Sequence, residues 1–304
     1  MPAHLYFVTG KGGVGKTTVA AALARRLARG RRRVLLVETG GERSLAALFG
    51  AGALGPEPTP LGGGLSGLRL EPLALVESYF RRLLRLPFLA RRLFASGTFR
   101  AVTAAAPGVS EFVILEHLLQ WSEAGRFRRA SYDAVVVDGP ASGHAVRLLR
   151  TPIQLARLVP RGPLTGSVAR LQALITDPAH TRAVLVALPE EMAIAETLET
   201  RAALASAGVA LAPPVLNRVW PKRFSAADTT VIAARADRAA PLIAAARLAL
   251  AARREAEAQG ARLRDVFGVA PLTLPERPGA AFDAAALAAI GRALAPALGD
   301  DDGD

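Results

Sequence analysis

The sequence predicts an α/β fold in which a mostly parallel sheet has helices on both of its faces. Short, continuous apolar runs typical of strands buried on both faces alternate with longer helical segments. A glycine-rich turn joins the first such strand to the first helix, and 51% hydrophobic residues in a chain of 304 are enough for a large core. We therefore expect one elaborated α/β domain over residues 1–304.

The first part of the chain contains a strand, a helix and a second strand. Residues 5–9 predict a buried strand, residues 17–28 the helix, and residues 33–38 the next strand. This order is a βαβ unit, which favours a parallel sheet. Residues 51–67 are rich in glycine and proline and predict a loop, and residues 68–70 predict a short strand.

The rest of the chain alternates strands with helical segments. Further strands are predicted at residues 132–138, 183–188, 209–217 and 269–274. The helical pattern between them predicts an inserted helical subdomain at about residues 73–130 and 151–180. Residues 299–304 are acidic and predict a flexible tail.

The turn after the first strand is the most informative motif. It consists of Gly10, Lys11, Gly12, Gly13, Val14, Gly15, Lys16, Thr17 and Thr18. Glycines leave the backbone N–H groups free to converge on phosphate oxygens, and the next helix adds the positive end of its dipole. This spacing predicts a nucleotide-binding phosphate loop in which Lys16 reaches the outer phosphates and the Thr17 hydroxyl holds Mg²⁺. The chain has only three lysines, and two of them lie in this loop.

A second part of the predicted site follows a later strand. Asp138 ends the apolar run 134–137, which places it at the carboxyl edge of a parallel sheet, beside the loop. We predict that it orients the Mg²⁺ hydration shell. Residues 139–144 are a candidate switch that senses the terminal phosphate, although His144 has the alternative interpretation of an ordinary residue at a helix start.

These residues resemble a known family. Lys11 resembles the signature lysine of the deviant Walker A class of P-loop ATPases. The run from Asp138 through His144 to Arg147, with Pro107-Gly108 and Glu111 upstream, is most similar to the arsenical-pump and tail-anchored-protein-targeting branch.

The resemblance implies a Mg-ATP-dependent homodimer with ATP at the interface, in which Lys11 reaches the partner's phosphates. It also implies that Asn217 reads the adenine and that Pro275 and Glu276 flank it, although an asparagine at a strand end has the simpler interpretation of a turn residue. Lys11, Lys16 and Asp138 are then the expected catalytic residues.

The sequence departs from this branch at the acid expected to position the attacking water, because Gly40 occupies that place. Glu38 and Glu42 are the candidate substitutes, and Glu42 has the alternative role of starting a helix at residues 44–49. We therefore expect slow hydrolysis, or hydrolysis only when a partner completes the site.

The composition of the chain restricts the kinds of molecule that we expect it to bind. The net charge is +12, but the basic residues are spread along helices without interleaved aromatics, so nucleic acid is not favoured. The absence of cysteine excludes thiolate capture of arsenite and a cysteine zinc clasp between protomers. No apolar stretch is long enough to span a bilayer, and we expect a cytoplasmic protein.

The expected function is a nucleotide-gated switch that handles a hydrophobic or membrane-protein client. Residues 79–94 mix large apolar side chains with arginines and are the candidate client groove, the alternative being a helix pair packed on the core. The alternative function is a partition or positioning ATPase that binds DNA or a membrane surface. A small-molecule kinase is disfavoured by Lys11.

Overall fold

A computed structural model gives the arrangement of the chain. It describes residues 5–30, 32–39, 45–83, 108–122, 132–158, 164–234, 240–277 and 283–295. The predicted tail at 299–304 and most of the candidate groove at 79–94 lie outside these residues.

The fold is built on one eight-stranded sheet with the order β3-β4-β2-β5-β1-β6-β7-β8. Its strands are β1 (Leu5–Gly10), β2 (Val34–Glu38), β3 (Thr59–Gly62), β4 (Leu65–Arg69), β5 (Ala134–Ala141), β6 (Thr181–Ala187), β7 (Val215–Val219) and β8 (Leu272–Pro275). All neighbouring pairs are parallel except the hairpin of β3 and β4 at one edge. The predicted fold class, a mostly parallel α/β sheet, is confirmed.

Helices connect the strands and cover the sheet. They are α1 (Lys16–Leu27), α2 (Pro72–Leu83), α3 (Val109–Ser122), α4 (Ser142–Leu158), α5 (Thr165–Thr176), α6 (Glu191–Ser206), α7 (Ala226–Ala234), α8 (Ala240–Phe267) and α9 (Ala284–Ala293), with a short 3₁₀ helix at Leu45–Phe49. Within the described ranges, none of these helices combines the length and the apolar composition that crossing a bilayer requires. The grouping of the helical segments into an inserted subdomain stays a prediction.

The strand β1 lies at the centre of the sheet and divides its side chains between two cores. Tyr6 and Val8 face a core shared with α1 and α9, whereas Leu5 and Phe7 face a core shared with α3, α4 and α5. This alternation follows from the two-residue period of a strand, and it requires helices on both faces because all four side chains are buried.

The prediction of a loop over residues 51–67 was partly wrong, because β3 and the start of β4 lie within it. Gly62, Gly63 and Gly64 all have positive φ and form the turn of the hairpin, so the glycine signal marked a turn between strands. Leu65 and Leu68 of β4 are buried beside β2.

Other strand boundaries also differ from the sequence prediction. The strand expected at 132–138 is Ala134–Ala141, and the strand expected at 183–188 is Thr181–Ala187. The strand expected at 209–217 begins at Val215 and continues to Val219, and the residues before it contribute only an isolated bridge between Leu211 and Ala183. Pro213 and Pro214 have no N–H to donate to a ladder, which explains the delay. The strand expected at 269–274 is shifted to β8.

Candidate functional site

The glycine-rich loop lies at the carboxyl edge of the sheet, between β1 and α1. The strands β5 and β6 flank β1 in parallel, so their carboxyl ends meet at the same edge. Gly10 closes β1 with φ +151°, and a Cβ there would lie 2.1 Å from the carbonyl oxygen of Val186 on β6. Only glycine fits at this position, so the start of the loop is fixed by its packing against β6.

The loop presents backbone N–H groups with little side-chain obstruction. Gly12 and Gly13 are exposed, and a Cβ at either would meet no atom of the described residues within 4 Å. In the described part of the chain no side chain caps the N-terminus of α1, and the first turn of this helix contains no acidic residue. Unsatisfied N–H groups and the positive end of the helix dipole therefore favour an anion at this place.

Lys16, the first residue of α1, folds back over the loop. Its Nζ donates a hydrogen bond to the Lys11 carbonyl oxygen at 3.1 Å. Burial lowers the Lys16 pKa, and the negative charges of Asp138 and Glu196 partly oppose this effect. The ammonium group is thus held beside the loop with two carboxylates near it. The role of Lys11 toward a partner protomer stays a prediction.

Thr17 and Asp138 are brought together as the sequence predicted. The Thr17 hydroxyl donates to Asp138 Oδ2 at 2.8 Å, and Asp138 Oδ1 is buried with no hydrogen-bond partner in the described part of the chain. Burial raises the Asp138 pKa to about 6, the charge of Glu38 adds to this, and the Thr17 hydrogen bond and the Lys16 charge oppose it. An unpartnered carboxylate oxygen beside a hydroxyl suits the oxygen-ligand preference of Mg²⁺.

The segment from Asp138 to Ser142 is held by side chains of three further elements. Thr39, just after β2, donates to the Asp138 carbonyl at 2.7 Å, and Thr9 of β1 donates to the Pro140 carbonyl at 2.8 Å. Ser142 donates to Glu196 Oε1 on α6. The sequence prediction missed Thr9, Thr39 and Glu196.

Signals for two of these residues were present in the sequence. Thr9 and Thr39 stand at the carboxyl ends of predicted strands, where parallel strands bring their last residues together. Glu196 is 54 residues from Ser142, and no local pattern indicates that contact.

Glu38, a candidate for water activation, is almost completely buried. Its Oε1 accepts from the Leu45 N–H at 3.2 Å, at the start of the 3₁₀ helix, and its Oε2 has no partner among the described residues. One oxygen therefore has a structural role, and the second is free to accept a further bond. Gly40 and Glu42 lie outside the described residues.

Asn217, the expected adenine-reading residue, lies against the loop itself. Its Nδ2 donates to the Val14 carbonyl at 2.8 Å, and a Cβ on Gly15, which has φ +94°, would come within 2.3 Å of that nitrogen. Asn217 thus holds the loop, and its role toward a base stays a prediction. Pro275 and Glu276 follow on the neighbouring strand, where the Glu276 N–H donates to the Val219 carbonyl at 2.9 Å.

The two motifs upstream and downstream of the candidate switch at residues 139–144 meet in space. Arg147 on α4 donates to Glu111 in the first turn of α3 at 2.7 Å. Gly108, with φ +88°, directly precedes α3, whereas Pro107 lies outside the described residues. His144 is exposed at the start of α4. The helix α4 is therefore linked to α3 by an ion pair.

Comparison with known proteins identifies the family. A family model described as Anion-transporting ATPase matches residues 3–162. The chain belongs to the anion-transporting ATPase family. The family resemblance inferred from the motifs is confirmed, and the matched region of this family member contains the phosphate loop, Glu38, Asp138 and Arg147. Glu196 and Asn217 lie beyond it.

Individual relatives agree with this assignment. The chain is 30% identical over 231 residues to ATPase BagA of Mycobacterium tuberculosis (strain ATCC 25618 / H37Rv), a match that covers 74% of this chain and 68% of the relative. It is 30% identical over 256 residues to an arsenical pump-driving ATPase of Escherichia coli, covering 77% of this chain and 42% of the relative. An arsenical pump-driving ATPase of Acidiphilium multivorum is 29% identical over 254 residues, covering 77% of this chain and 42% of that protein. The chain thus spans less than half of the length of those pump-driving ATPases.

Proposed function

We propose that the chain is an ATPase that binds Mg-ATP at the loop Gly10–Thr18. The observation that supports this most strongly is the hydrogen bond between Thr17 and Asp138, which joins the helix after the loop to the carboxyl end of β5. Membership of an ATPase family supports the same activity. ATP and Mg²⁺ are the proposed cofactors.

Each residue of the site has a distinct proposed task. The N–H groups of residues 12–18 bind phosphate oxygens, and Lys16 exchanges its contact with the Lys11 carbonyl for the outer phosphates. Thr17 and Asp138 would hold Mg²⁺, which neutralises charge on the phosphate oxygens when it is bound. Asn217 holds the loop through its hydrogen bond to the Val14 carbonyl and, in this proposal, contacts the adenine beside Pro275 and Glu276.

Activation of the attacking water is the least complete part of the site. Gly40 provides no acid, so we propose that Glu38 or Glu42 takes this task or that a partner supplies it, and that hydrolysis by the chain alone is slow. Glu38 Oε2 is unpartnered within the described structure and is the atom that remains free for it. Single-turnover hydrolysis by Glu38→Ala and Glu42→Ala tests this, and an unchanged rate in both variants would exclude both glutamates.

We further propose that ATP closes a homodimer, with Lys11 of each protomer reaching the partner's phosphates. The signal would pass from residues 138–142 along α4, and through the Arg147–Glu111 ion pair to α3. In this proposal the helical region handles a hydrophobic or membrane-protein client in the cytoplasm. Partition or positioning on DNA or a membrane is the second candidate, and the net charge of +12 is the observation that favours it.

Nucleotide binding by lysine variants tests the proposed activity. We expect Lys16→Ala to lose at least about ten-fold in Mg-ATP affinity, because the phosphate charge loses its nearest cation. Lys222→Ala is the matched control, since it removes the only lysine outside the loop and changes the net charge equally. Equal loss of affinity in both variants would contradict a phosphate site at the loop.

A further inference from the structure

We propose that Glu196 is a positioning residue of the nucleotide site, which holds the segment 138–142 through Ser142 and places a negative charge beside Lys16. This inference rests on the proposed binding of nucleotide phosphates at the loop. Glu196 lies outside the region matched by the family model and belongs to none of the motifs identified in the sequence.

The fold brings Glu196 to the site through the order of its strands. The helix α6 begins after β6, which lies next to β1, so the start of α6 is at the same sheet edge as the phosphate loop. Ala193, Ile194 and Thr197 are buried on the inner side of α6, and Glu196 is half-buried between this side and solvent. Glu196 therefore faces α4, against which α6 packs.

The contact with Ser142 joins α6 to the switch segment. Ser142 is the buried first residue of α4, and its hydroxyl donates to Glu196 Oε1. The same segment is held at Asp138 by Thr17 of the phosphate loop, and at Pro140 by Thr9 of the strand before that loop. Glu196 thus contributes the tether at the end of the segment farthest from Asp138 in sequence.

The second contribution of Glu196 is its charge. Through its hydrogen bond with Ser142, the carboxylate is fixed at the sheet edge that carries the phosphate loop, where its charge also opposes the effect of burial on the Lys16 pKa. A polyphosphate that approaches the loop meets the same carboxylate as a like charge, which weakens its binding.

The charge is tested by equilibrium binding of ADP without Mg²⁺, at low ionic strength. Glu196→Gln keeps an oxygen that accepts from Ser142 but removes the charge, and we expect it to bind ADP about five-fold more tightly. The gain should shrink at ~0.5 M salt, because screening reduces the repulsion. Glu199→Gln, an exposed position on the same helix, is the matched control and should bind as the wild type does. Equal affinities of the two variants would overturn the electrostatic role.

The tether is tested by hydrogen exchange of residues 138–144 in the nucleotide-free chain. Ser142→Ala should raise the exchange rate of this segment by about ten-fold, whereas Glu196→Gln should leave it unchanged, since its amide oxygen still accepts the bond. Thermal unfolding of each variant shows whether the chain remains folded. Unchanged exchange in Ser142→Ala would overturn the tether.

The two experiments separate this inference from the proposed function. If the wild type does not bind ADP, the proposed function fails, while the exchange experiment still tests the tether because it uses no nucleotide. If the wild type binds ADP and Glu196→Gln binds it equally, the nucleotide site stands and the role of the Glu196 charge is refuted.

Discussion

Replacement of Asp138 by asparagine should stabilise the nucleotide-free chain at neutral and alkaline pH. Asp138 is buried, its Oδ1 lacks a hydrogen-bond partner within the described structure, and its pKa is raised to about 6 from 3.8, first by burial. Asparagine has nearly the same shape and keeps an oxygen that accepts from Thr17, but it has no charge to bury. The variant therefore isolates the free energy of ionising this carboxyl in the apo site.

The sign and size of the effect follow from proton linkage. Between pH 3.8 and about 6 the folded chain binds the Asp138 proton more tightly than the unfolded chain does, so rising pH lowers the stability of the wild type through this window. Above about pH 6 the whole penalty is present, and it amounts to about 3 kcal/mol at 1.36 kcal/mol per pKa unit. We expect Asp138→Asn to exceed the wild type by up to about 3 kcal/mol at about pH 8 and to match it near pH 4.

Urea unfolding at a series of pH values measures this difference, provided that the m-value stays the same in both proteins. Asp228→Asn is a control of opposite sign. Hydrogen bonds from the backbone and side chain of Ser225 lower the Asp228 pKa, so this exposed carboxylate stabilises the fold above its unfolded pKa and loses that effect as pH falls through the folded one. A variant at position 138 that is less stable than the wild type at about pH 8, or whose advantage does not depend on pH, would refute the buried-carboxylate account.

Three further predictions concern the loop and its links to the rest of the chain. Gly15→Ala should lower the free energy of unfolding by about 2 kcal/mol in urea titrations, because alanine at this position has an unfavourable positive φ and its Cβ clashes with Asn217. Unchanged stability would contradict the packing of Asn217 on the loop. Arg147→Ala should change the free energy of unfolding by less than about 1 kcal/mol, because the Arg147 side chain is 68% exposed. The same variant should abolish the ATP-induced change in hydrogen exchange of α3. If that change persists, the ion pair with Glu111 is excluded as the link. Lys11→Ala should retain ATP binding but fail to dimerise with a nonhydrolysable ATP analogue in light scattering, and normal dimerisation would exclude its role across the interface.

The sequence was sufficient to predict the parts of the site whose residues are close together in the chain. The strand before the loop, the glycines and the helix after it form one continuous segment, so the positions of Lys16 and Thr17 follow from local rules. Asp138 was predictable because the carboxyl ends of parallel strands meet at one edge, which places it beside Thr17 although the two are 121 residues apart.

Contacts that depend on tertiary packing were not predictable in the same way. The hydrogen bond between Ser142 and Glu196 depends on how α6 packs against α4, and the hydrophobic periodicity of the sequence does not indicate that packing. The hairpin of β3 and β4 was hidden because Gly62–Gly64 break both helix and strand patterns, and only the pairing with β2 shows that strands lie on either side. The late start of β7 depends on Pro213 and Pro214, whose effect is local but was outweighed by the apolar run around them.

Single-turnover hydrolysis of Mg-ATP by the wild type, Lys16→Ala and Lys222→Ala tests the central claim most directly. If the loop is the site of an ATPase, the wild type and Lys222→Ala should release phosphate at the same rate, even if that rate is low. Lys16→Ala should release phosphate more slowly by about a hundred-fold or more, because the negative charge that develops on the phosphate loses a stabilising cation. Hydrolysis that is equal in all three proteins would contradict the claim.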